Sequence, residues 1–119
     1  MGYRSEVAYV IKFKSDDDRS KYIEYLRAME DKYINDALDE VSLETSEPIV
    51  TFHFSNLKWY DGYEDVKAHR TIYRESERFG GIYRCIEVGE DGKTECDQSS
   101  YELEDYVYSV HRLEVNFYP

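Results

Sequence analysis

Apolar and polar positions alternate from the start of the chain. Tyr3, Val7, Tyr9, Ile11 and Phe13 fall on one face of residues 3–13, and Arg4, Glu6 and Lys12 on the other. A period of two predicts a half-buried strand. Ala8 and Val10 make the second face partly apolar, which predicts a central strand covered on both sides. Ser15 then offers a helix cap, and Asp16, Asp17 and Asp18 place carboxylates at the positive end of the helix dipole. Tyr22, Leu26, Met29 and Tyr33 recur at spacings of four, three and four, with Ile23 and Tyr25 widening the stripe. This predicts one amphipathic helix running from near Asp16 past Met29, ending at Asn35 or at Leu38.

Val41 and Leu43 alternate with Ser42 and Glu44 as a short strand, interrupted by Glu47-Pro48. Ile49 to Tyr60 reads as a long strand. Val50, Phe52 and Phe54 share a face, whereas Leu57 and Trp59 lie one position out of phase, as a β-bulge after Ser55-Asn56 would produce. Asp61, with Glu64 three positions on, predicts the cap of a second helix whose stripe is Val66, His69, Ile72 and Tyr73. Gly80-Gly81 ends that helix. Ile82, Ile86 and Val88 then alternate with Tyr83, Cys85 and Glu87. Glu90-Asp91-Gly92-Lys93 is a hairpin turn, and Thr94 to Asp97 is its short polar return. Ser99 to Asp105 reads as a loop, and Val107, Leu113, Val115 and Phe117 as one face of a final strand. There is no linker or internal repeat, so residues 1–119 read as a single α+β domain. The element order matches a ferredoxin-like split βαβ: an antiparallel sheet with two helices on one face, extended by one extra C-terminal strand.

Composition sharpens this picture. The 119 residues are 41% hydrophobic, enough for a folded core rather than disorder. They carry 26 Asp and Glu against 15 Lys and Arg, a net charge of −11. That balance disfavours direct binding to nucleic-acid backbones and to anionic membranes, and it attracts basic partners. The same acidity also serves solubility alone. No apolar run reaches the ~20 residues of a membrane span. The N-terminal segment lacks a secretory pattern, and Glu6 fails the myristoylation motif that Gly2 would begin. Two cysteines make no disulfide framework, so the expected setting is cytoplasmic with reduced thiols.

Candidate chemistry is sparse. His53, His69, His111, Cys85 and Cys96 include no pair at a metal-binding spacing. His69 reads as a residue on the buried edge of the second helix, and the other histidines as sheet residues. Cys85 and Cys96 flank the hairpin turn, and a four-residue loop would set them opposite each other. There is no nucleophile elbow, phosphate loop or dinucleotide fingerprint, so no catalytic, cofactor or metal residues are assigned. The unusual quantity is tyrosine: 13 of them, with Trp59 and five Phe. Tyr is favoured at protein interfaces because it is amphipathic and loses little entropy when fixed. Tyr9 and Tyr22 belong to the core, whereas others sit beside acids, as in Tyr60-Asp61 and Tyr63-Glu64.

Two segments, Gly2-Tyr3-Arg4-Ser5-Glu6-Val7 and Leu57-Lys58-Trp59-Tyr60-Asp61-Gly62-Tyr63 followed by Val66 and Ala68-His69, carry a resemblance. The chain resembles a set of small, mostly uncharacterised tailed-phage proteins that open with a Gly-Tyr-Arg-Ser-acid-Val strand and carry a Lys-Trp-Tyr-Asp segment. The resemblance implies a protein made to occupy a basic site on a host protein, as anti-restriction and anti-CRISPR proteins do. The candidate contact residues are Trp59, Tyr60, Asp61, Tyr63, Glu64, Asp65, Glu90, Asp91, Glu102 and Asp105, with Trp59 equally readable as a core anchor. The acids not assigned to helix starts fall in three groups, 36–47, 87–97 and 102–105. Two other readings stand beside this one: a self-associating assembly protein, such as a homodimer, and a small enzyme gathering carboxylates with His53 or His111.

Overall fold

The computed structural model describes residues 3–43, 46–109, 113–115 and 117, with side-chain surroundings given up to Val107 and for Phe117. Strand β1 (Ser5–Lys12) leads into helices α1 (Asp16–Ala28) and α2 (Lys32–Glu40), then strands β2 (Ser42–Leu43) and β3 (Ile49–Leu57). Helix α3 (Glu64–Arg74) continues as a 3-10 turn over Glu75–Phe79. Strands β4 (Ile82–Gly89) and β5 (Thr94–Gln98) form a hairpin, and β6 (Val107–Ser109) and β7 (Leu113–Val115) follow. The main sheet runs β2-β3-β1-β4-β5, antiparallel throughout. Its first four strands have the ferredoxin-like order, and β5 extends the sheet beyond them.

β1 is the central strand, and its two faces feed two cores. Val7, Tyr9, Ile11 and Phe13 pack with Tyr22 and Leu26 of α1, Ile34, Ala37 and Leu38 of α2, and Ala68, Ile72 and Tyr73 of α3. Ala8 and Val10 pack on the opposite face with Ile49, Ile86, Val88, Leu103, Tyr106 and Val107. The C-terminal segment is therefore a third layer. The final strand expected from the sequence is instead two short strands, β6 and β7, which among the described residues pair only with each other. The sheet is extended by the hairpin return rather than by the chain end. Arg84 Nε donates to the Val107 carbonyl at 2.7 Å and ties the third layer to β4. Within the stretch read as loop, Tyr101–Leu103 forms a 3-10 turn that buries Leu103.

The single helix expected after β1 is also two. α1 is capped by Ser15, which accepts from the Asp18 amide at 3.1 Å, with Asp16, Asp17 and Asp18 in its first turn as expected. It stops at Met29 because Glu30 adopts φ 54°, in the left-handed region. Asp31 then caps α2 by accepting from the amides of Tyr33 and Ile34 at 2.9 and 3.0 Å. A continuous helix would have turned Met29 and Tyr33 inward. The break leaves them exposed, and buries Ile34, Ala37 and Leu38 instead. The expected bulge is present: β1 and β3 change register between the pairs Ser5–Leu57 and Val7–Phe54, with Asn56 at φ 60°. β3 ends at Leu57, short of the expected Tyr60. Gly80, at φ 76°, ends the α3 segment. Gly81 lies so close to Ser76 and Phe13 that a Cβ would meet them at 2.9–3.0 Å.

Candidate functional site

The chain from Trp59 to Tyr63 bridges β3 and α3 at the end of the sheet where β1 begins and the β4–β5 hairpin turns. Tyr60 Oη accepts from the Tyr3 amide at 2.6 Å. Tyr3 Oη donates to Asp91 Oδ1 at 2.5 Å, and the Arg4 amide donates to Glu90 Oε1 at 3.0 Å. The Tyr3 phenol lies on Gly89, where any Cβ would overlap its ring. Three segments distant in sequence thus meet at one edge. They frame a cavity of about 320 Å³ lined by Tyr3, Ser5, Trp59, Asp61, Asp91 and Lys93, among others. The Asp91 bond pushes the Tyr3 hydroxyl up to about 12, and the same bond holds the Asp91 carboxyl below its ordinary range.

Asp61 does not cap α3. Tyr63 occupies the cap position without a side-chain bond, and Glu64 and Asp65 supply the first-turn carboxylates. Asp61 instead pairs with Arg70 at 2.7 Å, and Arg70 also meets Glu87 at 3.3 Å. Partial burial opposes the Arg70 charge, but the bonds and charges of Asp61 and Glu87 outweigh it and raise its pKa. Further along α3, Arg74 Nε donates to Asp97 at 2.8 Å. Many of the acids at this edge are thus neutralised within the molecule.

Trp59 is half-buried. Its ring packs against Phe52 at 6.0 Å and His69 at 5.6 Å between centroids, so it anchors the core while lining the edge cavity. Its indole Nε1 is buried and has no partner among the described residues. His69 is buried as expected, 2.7 Å from Tyr9 Oη through Nδ1 and 3.3 Å from Glu40 Oε1 through Nε2. Burial lowers its pKa against the opposing pull of Glu40. The neutral ring then has one consistent tautomer: Nε2–H faces the carboxylate and Nδ1 accepts the Tyr9 proton. Tyr9 is fully buried at one end of this chain of groups, and the Glu40 carboxylate at the other end is exposed.

The sequence-selected contact residues divide. Trp59, Tyr60, Asp61, Glu90 and Asp91 come together at the edge. Tyr63, Glu64 and Asp65 flank it at the start of α3, where the Tyr63 and Tyr60 rings meet edge-on. Glu102 and Asp105 lie on the third layer, with Leu103 and Tyr106 packed against the opposite face of the sheet. The three acidic groups do not share a face. Residues 36–40 lie on α2 and 42–43 on β2, 87–97 on the β4–β5 hairpin at the opposite edge of the sheet, and 102–105 on the third layer. Sequence reasoning missed Tyr3 as a site residue, and it named Glu87 and Glu95 only within the acidic group 87–97, because the side each faces depends on the hairpin register. That register also separates the cysteines: Cys85 opposes Asp97 and Cys96 opposes Ile86, so they lie on opposite faces as free thiols. A three-residue turn with Gly92 at φ 83° sets this register, in place of the expected four-residue loop.

His53 is exposed and bonds Glu6 Oε2 at 2.8 Å; His111 lies outside the described residues. No group of three or more His, Cys, Asp or Glu among the described residues is arranged to hold a metal ion. Among the described residues, no helix is long and apolar enough to cross a membrane. No family model, curated protein or solved structure matches the chain.

Proposed function

We propose that this is a small, non-catalytic binding protein whose acidic, tyrosine-rich edge occupies a basic site on a host nucleic-acid-handling or defence protein, in the manner of an anti-restriction or anti-CRISPR protein. The observation that carries the reading is the convergence of Tyr3, Trp59, Asp61 and Asp91 on one cavity at the sheet end, with Tyr60 bonded to the Tyr3 amide beside it. Rigid aromatics interleaved with carboxylates supply both contact area and electrostatic steering. The scatter of the remaining acids over other faces favours one local contact over a long stripe imitating duplex phosphates. Sequence resemblance to small tailed-phage proteins supports the host context.

The test is affinity capture from a bacterial host lysate at low and high salt. A partner with a basic surface should be retained at low salt and released as ionic strength rises. Asp61→Asn combined with Asp91→Asn should weaken retention about tenfold or more, the scale of one to two charge-assisted bonds. Retention of an acidic partner without salt dependence would refute the reading.

A further inference from the structure

The edge cavity continues along the hairpin into a second one of about 310 Å³, lying between α3 and the β4–β5 strands. The two share Asp61, Glu87 and Glu95. Arg70 and Arg74 of α3 form one wall, and Glu87, Glu95 and Asp97 the other. Both arginines are already engaged, Arg70 by Asp61 and Glu87 and Arg74 by Asp97. Glu95 is different. Among the described residues, no hydrogen bond or ion pair engages its carboxylate.

Tyr73 also lines this groove. The residue is fully buried, and its hydroxyl oxygen is buried without a hydrogen-bond partner among the described residues. The Cys85 thiol beside it is at best a weak partner. A buried hydroxyl without a partner costs stability, which gives it a reason to face a ligand. Burial raises its pKa, so it stays protonated and offers its oxygen lone pairs together with one proton. The lining charges Asp61, Glu87, Glu95 and Asp97 exceed Arg70 and Arg74 by two negatives, so a cation fits and an anion does not.

β5 adds a second element of recognition. Among the described residues it is the last strand of the sheet, bonded only to β4. An edge strand of this kind can accept an added strand. Glu95 and Asp97 oppose Glu87 and Cys85 in register and so project to the groove side. We infer that the groove between α3 and β5 receives an arginine-bearing extended segment of a basic partner protein. Its guanidinium pairs with Glu95 and reaches the Tyr73 hydroxyl, while its backbone pairs along β5. Arginine suits the site better than lysine. Its planar fork meets a carboxylate in two bonds while leaving donors for a third acceptor, and it is less strongly hydrated. The inference rests on the proposed binding of a basic partner and names the element that partner supplies.

The probe is a six-residue blocked peptide alternating Arg and Thr, titrated into the whole chain at low salt, with amide chemical shifts read by NMR. Shifts should concentrate on β5 and α3. Glu95→Gln should weaken binding at least fivefold, whereas Glu24→Gln, an exposed change of equal charge on α1, should not. Tyr73→Phe removes an unpartnered hydroxyl, so it should fold normally and weaken binding at least threefold without changing net charge. The Lys–Thr peptide should bind at least threefold more weakly than the Arg–Thr peptide. Equal effects of Glu95→Gln and Glu24→Gln, or an unaffected Tyr73→Phe, would overturn the inference. Shifts confined to Trp59, Asp61 and Asp91 would overturn it while leaving the proposed function standing. Absence of binding by any basic peptide would count against both.

Discussion

The buried hydrogen bond between Tyr9 and His69 ties the central strand to α3 and makes stability depend on pH. Burial holds the folded-state pKa of His69 below its ordinary value of 6.5. The unfolded chain therefore takes up a proton at this site before the folded protein does. The contribution is fully present above pH ~6.5 and is lost as pH falls from there toward the folded-state value. His69→Gln should reduce stability by about 1–3 kcal/mol at pH 8, because Tyr9 and Glu40 lose their shared partner. The parent-to-variant difference should shrink as pH falls from 7 to 5. Urea unfolding of both proteins across that range measures it, and a difference that stayed constant with pH would show that His69 does not titrate between the two states. The placement of His69 was legible from its position on the helix stripe. Its partners were not, because Tyr9 and Glu40 are 60 and 29 residues away.

At the scale of elements, periodicity located each strand of the main sheet and gave both faces of β1 and β4. It failed where two patterns overlapped. Tyr22, Leu26, Met29 and Tyr33 form a self-consistent helical stripe, yet Ile34, Ala37 and Leu38 form another starting at Asp31. The second won because it buries three apolar side chains against α3 and the sheet, and because Asp31 satisfies two amides at its start. The cap signal at Asp31 was visible in the sequence. The left-handed turn before it was not, since Glu is a poor residue for that conformation. Asp61 was misread for a related reason: an acid before a helix looks like a cap until a cation such as Arg70 takes it. The strain at Glu30 gives a direct test. Glu30→Gly removes the Cβ conflict, worth ~1–2 kcal/mol, at the expense of ~0.5–1 kcal/mol of added unfolded-state freedom. The variant should be about 0.5–1 kcal/mol more stable by thermal or urea unfolding. A destabilised Glu30→Gly would mean that the break between α1 and α2 is not held in this geometry.

For the whole molecule, the central question is how three layers behave as one unit. The ferredoxin-like order was legible from the element sequence and the handedness of crossovers. The third layer was not, because Val107, Leu113, Val115 and Phe117 alternate as readily in two short strands as in one long one. Leu103 sat in a stretch too polar to suggest burial. Yet Leu103 is 1% exposed and packs, across the sheet from the helices, with Val10 and Ile86. β1 contributes alternate side chains to both cores, so neither core can dissolve without disturbing the strand they share. Leu103→Ala should then cost about 2–5 kcal/mol, as a large-to-small change at a buried site does. The cost should be felt on the far side of the sheet. Trp59, packed on Phe52 and His69 in the helical core, is the chain's one tryptophan and reports that core by fluorescence. In Leu103→Ala, the urea midpoint from Trp59 fluorescence should move down together with that from backbone circular dichroism, with unchanged slope. A Trp59 transition that stayed at the parent midpoint while the circular dichroism signal moved would show that the third layer melts on its own. Coincident curves would place the acidic edge, the helices and the C-terminal layer in one cooperative structure. That rigidity is what the edge needs, because Tyr3, Asp61 and Asp91 come from three separate segments and hold their geometry only while the sheet between them is intact.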